Sequence, residues 1–111
     1  MLSLVKSVQK WKLMHREELG SWSNVEGNFV LLGDSCHPML PYLAQGAASA
    51  IEDGAVLGAV LESVESTAEL QSAIATWGRL RKPRGEAIAR GAMEQVSVLM
   101  DPFLLPRQSV Y

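Results

Sequence analysis

Asp34, Ser35, Cys36 and His37 stand in a row and carry a carboxylate, a hydroxyl, a thiol and an imidazole. They follow an apolar run, residues 29–32, and precede Pro38 and Pro41. Three chemistries can be asked of them. A metal site would draw on Asp34, Cys36 and His37, with His15 elsewhere. The chain has no second cysteine, no HExxH and no ligand pair at helical spacing, so the usual patterns of a metal centre are missing. A serine nucleophile would make use of "LLGDS", the opening block of GDS-type esterases, with Ser35 attacking. That serine needs a histidine base within hydrogen-bond reach. The only histidine after it is His37, two residues on in a proline-bounded turn, and nothing aims His15 at it. A Cys36–His37 dyad fails because adjacent side chains on an extended backbone diverge.

Ligand binding without a protein nucleophile suits the stretch better. Residues 29–32 read as a short buried strand, bounded by Gly27-Asn28 and Gly33. From Gly46 the period becomes helical, with Ala47, Ala50, Ile51, Gly54, Leu57, Gly58 and Leu61 on one face. An aspartate at the strand tip accepts hydrogen bonds from ligand hydroxyls. A helix that starts near Gly46 offers unpaired N–H groups and the positive end of its dipole. Gly46 lacks the Cβ that would block close approach. The prolines between stiffen the bridge, so carboxylate and helix end keep a fixed offset. A ligand with hydroxyls at one point and developing negative charge at another fits. A reduced flavin has both, in its ribityl chain and its N1–C2=O edge.

The elements around this stretch are simpler. Residues 10–14 alternate as a half-buried strand would. Residues 17–28 form a loop, and Trp22 within it must pack against something. Ser66 with Glu69 three residues later fits a capping box, so a second helix should begin near Ala68 and carry Leu70, Ile74, Trp77 and Leu80 inward. Pro83 kinks or ends it, and a further helical stretch runs to about Met100. Arg79, Arg81, Lys82 and Arg84 form a basic cluster of the kind that is usually a solvated helix face. With 111 residues the chain suffices for one small domain, and its net charge of -2 offers no field for nucleic acid or an anionic membrane. The lone cysteine suits a reducing compartment, no apolar run reaches membrane-spanning length, and no signal peptide is evident, so a cytoplasmic protein is expected.

The long pattern "GNFVLLGDSCHPMLPYLAQGAASAIEDGAVL" resembles the GD-motif region of FAD-dependent aromatic hydroxylases, the flavoprotein monooxygenases with the para-hydroxybenzoate hydroxylase fold. It is most similar to salicylate-hydroxylase-like members, and "KWKLMHREELGSW" and "WGRLRKPRGEAI" extend the resemblance over most of the chain. The resemblance implies FAD as cofactor, NAD(P)H as co-substrate and a small aromatic acid or phenol as the molecule hydroxylated. It implies that Gly33 and Asp34 lie at the ribityl chain and Pro41 beside the isoalloxazine ring. Gln45 lies in the same loop and is expected to reach the ring. Gly46, Ala47 and Ala48 match the helix start whose amides face the N1–C2=O edge. His37 and Asp53 match positions with turn and helix-packing roles. Ala44 stands where many members carry Gly, and Ala48 where many carry Asn.

The implied fold class is α/β, or α+β when the chain is taken alone. Residues 1–111 would be a single partial FAD-binding domain of one or two strands followed by two or three helices, with an irregular tail at 102–111. No GxGxxG occurs, and the only Asp-Gly, Asp53-Gly54, belongs to the first helix. The chain is therefore expected to be the C-terminal piece of a longer monooxygenase. The alternatives are an inert remnant, a module completing a partner chain, or, from the Ser35 reading, a small hydrolase. The dinucleotide unit that would hold the pyrophosphate is missing from the sequence. Residues 1–111 expressed alone should therefore purify without stoichiometric flavin absorbance, fail to oxidise NAD(P)H, and self-associate in a sizing measurement.

Overall fold

The computed structural model describes residues 4–9, 12 and 14–99. Two α-helices dominate: α1, Gly46–Glu62, and α2, Leu70–Leu99. Short 3-10 turns at Gly33–Ser35, Pro41–Leu43 and Thr67–Glu69 lead into them. The α/β expectation is corrected, because no strand occurs among the described residues. Residues 29–32 contribute only an isolated antiparallel bridge, Val30 with Ser23. Leu31 N–H donates to Trp22 O at 2.8 Å and Asn24 N–H to Phe29 O at 3.2 Å. The apolar run is present, but a ladder needs a neighbour over several residues. The described chain supplies only residues 22–24, which then turn back. Asn24 Oδ1 closes that turn by accepting from Asn28 N–H and Phe29 N–H at 3.1 and 3.0 Å. The strand expected at 10–14 falls mainly outside the described residues, and Lys12 and Met14 are not in one. The tail at 102–111 lies outside them altogether.

The start of α1 coincides with the change of sequence period at Gly46. Its buried side is different from the one the small residues suggest. Ser49 and Asp53 are buried and Val56 and Val60 half-buried, on the stripe that meets α2. Ala47, Ile51, Gly54 and Gly58 are exposed, and Ile51 is 73 % exposed. Of the small-residue face, Ala50 meets the turn at Gly33 and Leu57 packs on the core, while the positions of Gly54 and Gly58 open onto empty space.

Ser66 makes no side-chain cap. Glu69 instead accepts from Glu65 N–H at 3.1 Å, and α2 becomes regular at Leu70 after one 3-10 turn. The helix continues through Pro83 without ending. Proline there removes one intrahelical donor, and both it and Arg79, the residue four before it, are exposed. The buried stripe of α2 runs Ile74, Trp77, Arg81, Gly85 and Ala92. Leu80, expected inward, is 57 % exposed, and an arginine takes the core position beside it.

Trp22, Cys36 and Trp77 form the centre of the core, with Leu19, Val30, Leu31, Val56, Leu57 and Val60 packed on it. The two indoles meet at 5.9 Å between ring centroids. Trp77 Nε1–H donates to Asp53 O at 3.1 Å, so the indole that locks the helices is also hydrogen-bonded. Outside this contact, Arg84 grips Glu52 with two hydrogen bonds of 2.7 and 2.9 Å, and Arg81 adds a third of 2.8 Å.

A Cβ at Gly85 would lie 2.5 Å from Trp22 Cη2 and 2.9 Å from His37 Cδ2, whereas one at Gly54 would meet open space. Gly85→Ala should therefore lower stability by about 1–3 kcal/mol through overpacking, while Gly54→Ala should raise it by about 0.5–1 kcal/mol through helix propensity. Paired urea titrations check both signs.

The Arg84 guanidinium, with Arg81 behind it, holds the Glu52 carboxyl down from 4.5 to about 2. A lowered folded pKa stabilises the fold above the unfolded value, and that contribution fades as pH falls from about 4.5 towards 2. Glu52→Gln should flatten this part of the acid limb in thermal melts recorded across that range.

Candidate functional site

Gly33 takes φ +55°, in the left-handed region that glycine enters freely. A Cβ there would also lie 2.9 Å from Ala50 Cβ. The turn therefore presses directly against α1, and it carries Asp34 outward into solvent. Ser35 stabilises the turn from its own side chain: its hydroxyl donates to Leu32 O at 2.6 Å and accepts from Leu32 N–H at 3.0 Å. Arg16 donates to Ser35 O and Cys36 O at 2.8 and 3.1 Å. A second 3-10 turn, Pro41–Leu43, ends on Ala44 at φ 52°. That left-handed conformation costs an L-residue roughly 1–2 kcal/mol, a physical reason for glycine at this place in the resembling family.

Gly33, Asp34, Pro41, Gly46 and Ala47 come together on the wall of one open concavity of ≈ 650 Å³. Gln45 and Ala48, also expected at the site, do not line it. Asp34 is the only ionisable residue of the wall. A Cβ at Gly46 would lie 3.9 Å from Asp34 Oδ1, so the carboxylate stands beside the first turn of α1. The residue before that turn, Gln45, provides no side-chain cap. The small residues Gly46, Ala47 and Ala50 leave the helix start open to a flat ligand.

Beneath this wall lies a buried polar cluster. Asp53 is fully buried. Its Oδ2 accepts from Gly33 N–H at 3.0 Å and lies 2.5 Å from His37 Nε2. Its Oδ1 accepts from Arg81 Nε–H at 2.9 Å, and Arg81 also donates to Ser49 O at 3.3 Å. His37, itself buried, lies against Trp22 with ring centroids 5.0 Å apart. The turn and helix-packing roles expected of His37 and Asp53 thus meet in one contact between them. Arg81 is 4 % exposed, so the solvated-face reading fails for it. Arg79 keeps that reading: it is exposed and donates only to Thr76 Oγ1 of its own helix. The signal missed was spacing: Ile74, Trp77 and Arg81 follow i, i+3, i+7 as a buried stripe does.

The geometry also settles the competing chemistries. His37 faces Asp53, Ser35 is used within its own turn, and so no hydrolytic pair forms. Cys36, His37 and Asp53 bring possible metal-ligand atoms within 4.8 Å of one another. Both Asp53 oxygens are already engaged. Burial first, and then the charge of Asp53, push the Cys36 thiol up from 9.0 to about 12, where it is protonated and a poor ligand. Its Sγ–H donates to Gly33 O at 3.3 Å. The cluster is a hydrogen-bonded core, and Asp34, weighed as a possible metal ligand, lies outside it.

Comparisons with known proteins point to one family. A family described as the FAD binding domain matches residues 4–92. The FAD-dependent monooxygenase OpS4 of Beauveria bassiana is 51 % identical over 94 residues, covering 85 % of this chain and 22 % of its own length. The 6-hydroxynicotinate 3-monooxygenase of Pseudomonas fluorescens is 58 % identical over 57 residues, 51 % of this chain and 14 % of that protein. The crystal structure of FqzB superimposes with a TM-score of 0.70 at 29 % identity, over 87 % of this chain and 25 % of that one. The chain thus spans between 14 % and 25 % of the length of these relatives. No helix among the described residues is long and apolar enough to cross a membrane. With the match covering most of its length, the chain belongs to the FAD binding domain family, and the relatives it resembles include FAD-dependent monooxygenases.

Proposed function

We propose that residues 33–48 form the flavin-facing edge of an NAD(P)H-dependent monooxygenase that hydroxylates a small aromatic acid or phenol. One observation carries the reading. Asp34, Pro41 and the first turn of α1 share one concavity whose wall has a single charge and otherwise small or apolar groups. The residues suit the cofactor. The uncapped start of α1 has amides free to meet an electron-rich carbonyl edge, and its dipole favours negative charge there. Asp34 accepts hydrogen bonds from a polyol chain. Pro41, rigid and without a donor, offers an apolar surface to a ring. When bound and reduced, FAD supplies the activation of dioxygen and the transfer of an oxygen atom. The residues of this chain bind it, orient it and stabilise charge at its edge.

The substrate class rests on the relatives. The Pseudomonas fluorescens enzyme named above, and one from Bordetella bronchiseptica that is 50 % identical over 62 residues, are both 6-hydroxynicotinate 3-monooxygenases. A hydroxylated aromatic acid is the corresponding substrate class here. A second reading, a module that completes a FAD-binding domain with another chain, is favoured by the bare face of α1, where a Cβ added at Gly54 or Gly58 would meet nothing within 4 Å.

The test of the site uses a full-length context, with residues 4–92 replacing the matching stretch of the Beauveria bassiana relative. A hydrogen bond to a charged group is worth about 1.5–3 kcal/mol, so Asp34→Ala should weaken FAD binding roughly ten- to a hundredfold. An unchanged dissociation constant in a flavin fluorescence titration would remove Asp34 from the site.

A further inference from the structure

Among the described residues, nothing hydrogen-bonds the Asp34 side chain, which is exposed, so its position is that of the turn on which it sits. The turn meets the interior through Gly33, whose N–H reaches Asp53 Oδ2 at 3.0 Å, and through His37 just after it, whose ring lies on the same oxygen and whose N–H donates to Gly33 O at 3.0 Å. Asp53 is in turn fixed by Arg81, which comes from the other helix and binds Oδ1 at 2.9 Å. We infer that Arg81 is a positioning residue for the flavin site, acting through Asp53 and Gly33 to set the offset between the Asp34 carboxylate and the start of α1. The inference rests on the reading of Asp34 given above, and it assigns Arg81 no contact with cofactor or substrate.

The chemistry requires a guanidinium here. Arg81 is buried and uses three separate nitrogens: Nε to Asp53, one terminal nitrogen to Glu52 Oε2 at 2.8 Å, the other to Ser49 O at 3.3 Å. Those acceptors span one turn of α1, from residue 49 to residue 53. A planar fork holds all three at once, so the carboxylate of Asp53 cannot rotate about its own axis without breaking a bond elsewhere. A lysine keeps the charge and loses the fork. With the lock released, Asp53 keeps His37 on Oδ2 but loses the partner that fixes Oδ1, and the hydrogen bond from Gly33 N–H to α1 loses its set direction.

Arg84 provides the control. It clasps Glu52 and so ties the same two helices, but it does not touch Asp53. If Arg81 merely fastened α1 to α2, variants at the two arginines would have the same effect on the turn. The experiment is hydrogen exchange of the 111-residue chain, read by mass spectrometry on peptides covering the turn and the middle of α1. Arg81→Lys should speed exchange at Gly33 by at least about tenfold while residues 55–58 of α1 stay protected. Arg84→Gln should leave Gly33 at the parent rate. Should Arg81→Lys fail to fold, Arg81→Met serves in its place, since it removes all three donors while keeping an unbranched side chain in the core, and it should release Gly33 in the same way. Unaltered exchange at Gly33 overturns the inference, as does an equal gain of exchange along the whole of α1, which is what a purely structural role gives.

A second readout connects the turn to the cofactor. In the full-length context, Arg81→Lys should weaken FAD binding when Asp34 is present and have no further effect in the Asp34→Ala background. Additive losses would overturn the inference. An Asp34→Ala variant that binds FAD normally would instead refute the reading of Asp34, while the exchange result still decides whether Arg81 holds the turn.

Discussion

A buried carboxylate is the constraint on which the rest of the fold depends. Taking an ionised carboxylate out of water costs several kcal/mol unless partners replace its hydration. Asp53 has no exposure at all, and its partners come from three separate places: the turn at Gly33, the ring of His37 and the guanidinium of Arg81. Each partner is itself buried. None of these segments can shift alone without leaving a charge or a donor unpaired. An apolar residue of similar size at position 53 could give as much stability. It could not fix the direction from α1 to the turn, because apolar contacts have no preferred angle while a carboxylate with its donors does.

The neighbouring acid shows how burial divides the labour along one helix. Glu52 and Asp53 are adjacent in sequence but point about 100° apart on a helix, given 3.6 residues per turn. Glu52 emerges at the edge, where its side chain is 39 % exposed and Arg84 is 57 % exposed. Pairs in that setting are partly screened and contribute modestly. Arg81 alone reaches both acids, which links the outer clasp to the inner lock. The i, i+3 spacing of Arg81 and Arg84 places one guanidinium inside the helix pair and the other at its rim. The intervening Lys82 turns to its own helix and pairs with Glu86 at 2.7 Å.

How much of this the sequence disclosed depends on which interactions were local. The start of α1 was legible, because the change from a continuous apolar run to helical spacing at Gly46 is a property of neighbouring residues. The turn between Gly33 and Pro41 was legible for the same reason. The strand reading of residues 29–32 failed because pairing and burial are not local: Phe29 and Leu32 are exposed and Val30 and Leu31 half-buried, and four apolar residues do not supply the partner that makes a strand. The buried side of α1 was not legible in the sequence, because its small, apolar residues share a face that is mostly exposed. The face that packs on α2 instead begins with Ser49 and Asp53, whose burial depends on partners far away in sequence, Arg81 among them, twenty-eight positions from Asp53. Arg81 was hidden in a basic cluster whose other members are surface residues. Its place on the Ile74–Trp77 stripe was the one available clue.

The composition of the concavity decides what share of cofactor binding it could supply. On the proposed reading its wall meets the flavin half of FAD, since it offers a carboxylate, an open helix start and apolar surface. Among the described residues it has no lysine or arginine, so they carry no complement for a diphosphate, which is best held by cations or by a glycine-rich helix start. Sites that retain ligands tightly enclose most of the ligand surface, and this wall is one-sided. Its contribution is therefore direction more than affinity: it sets where the polyol chain and the ring edge lie relative to each other. A wall with that task gains from rigidity more than from area, because every fluctuation of the turn blurs the offset it defines. That is a physical reason for the buried ionic lock to lie directly behind Gly33, at the one backbone amide next to Asp34.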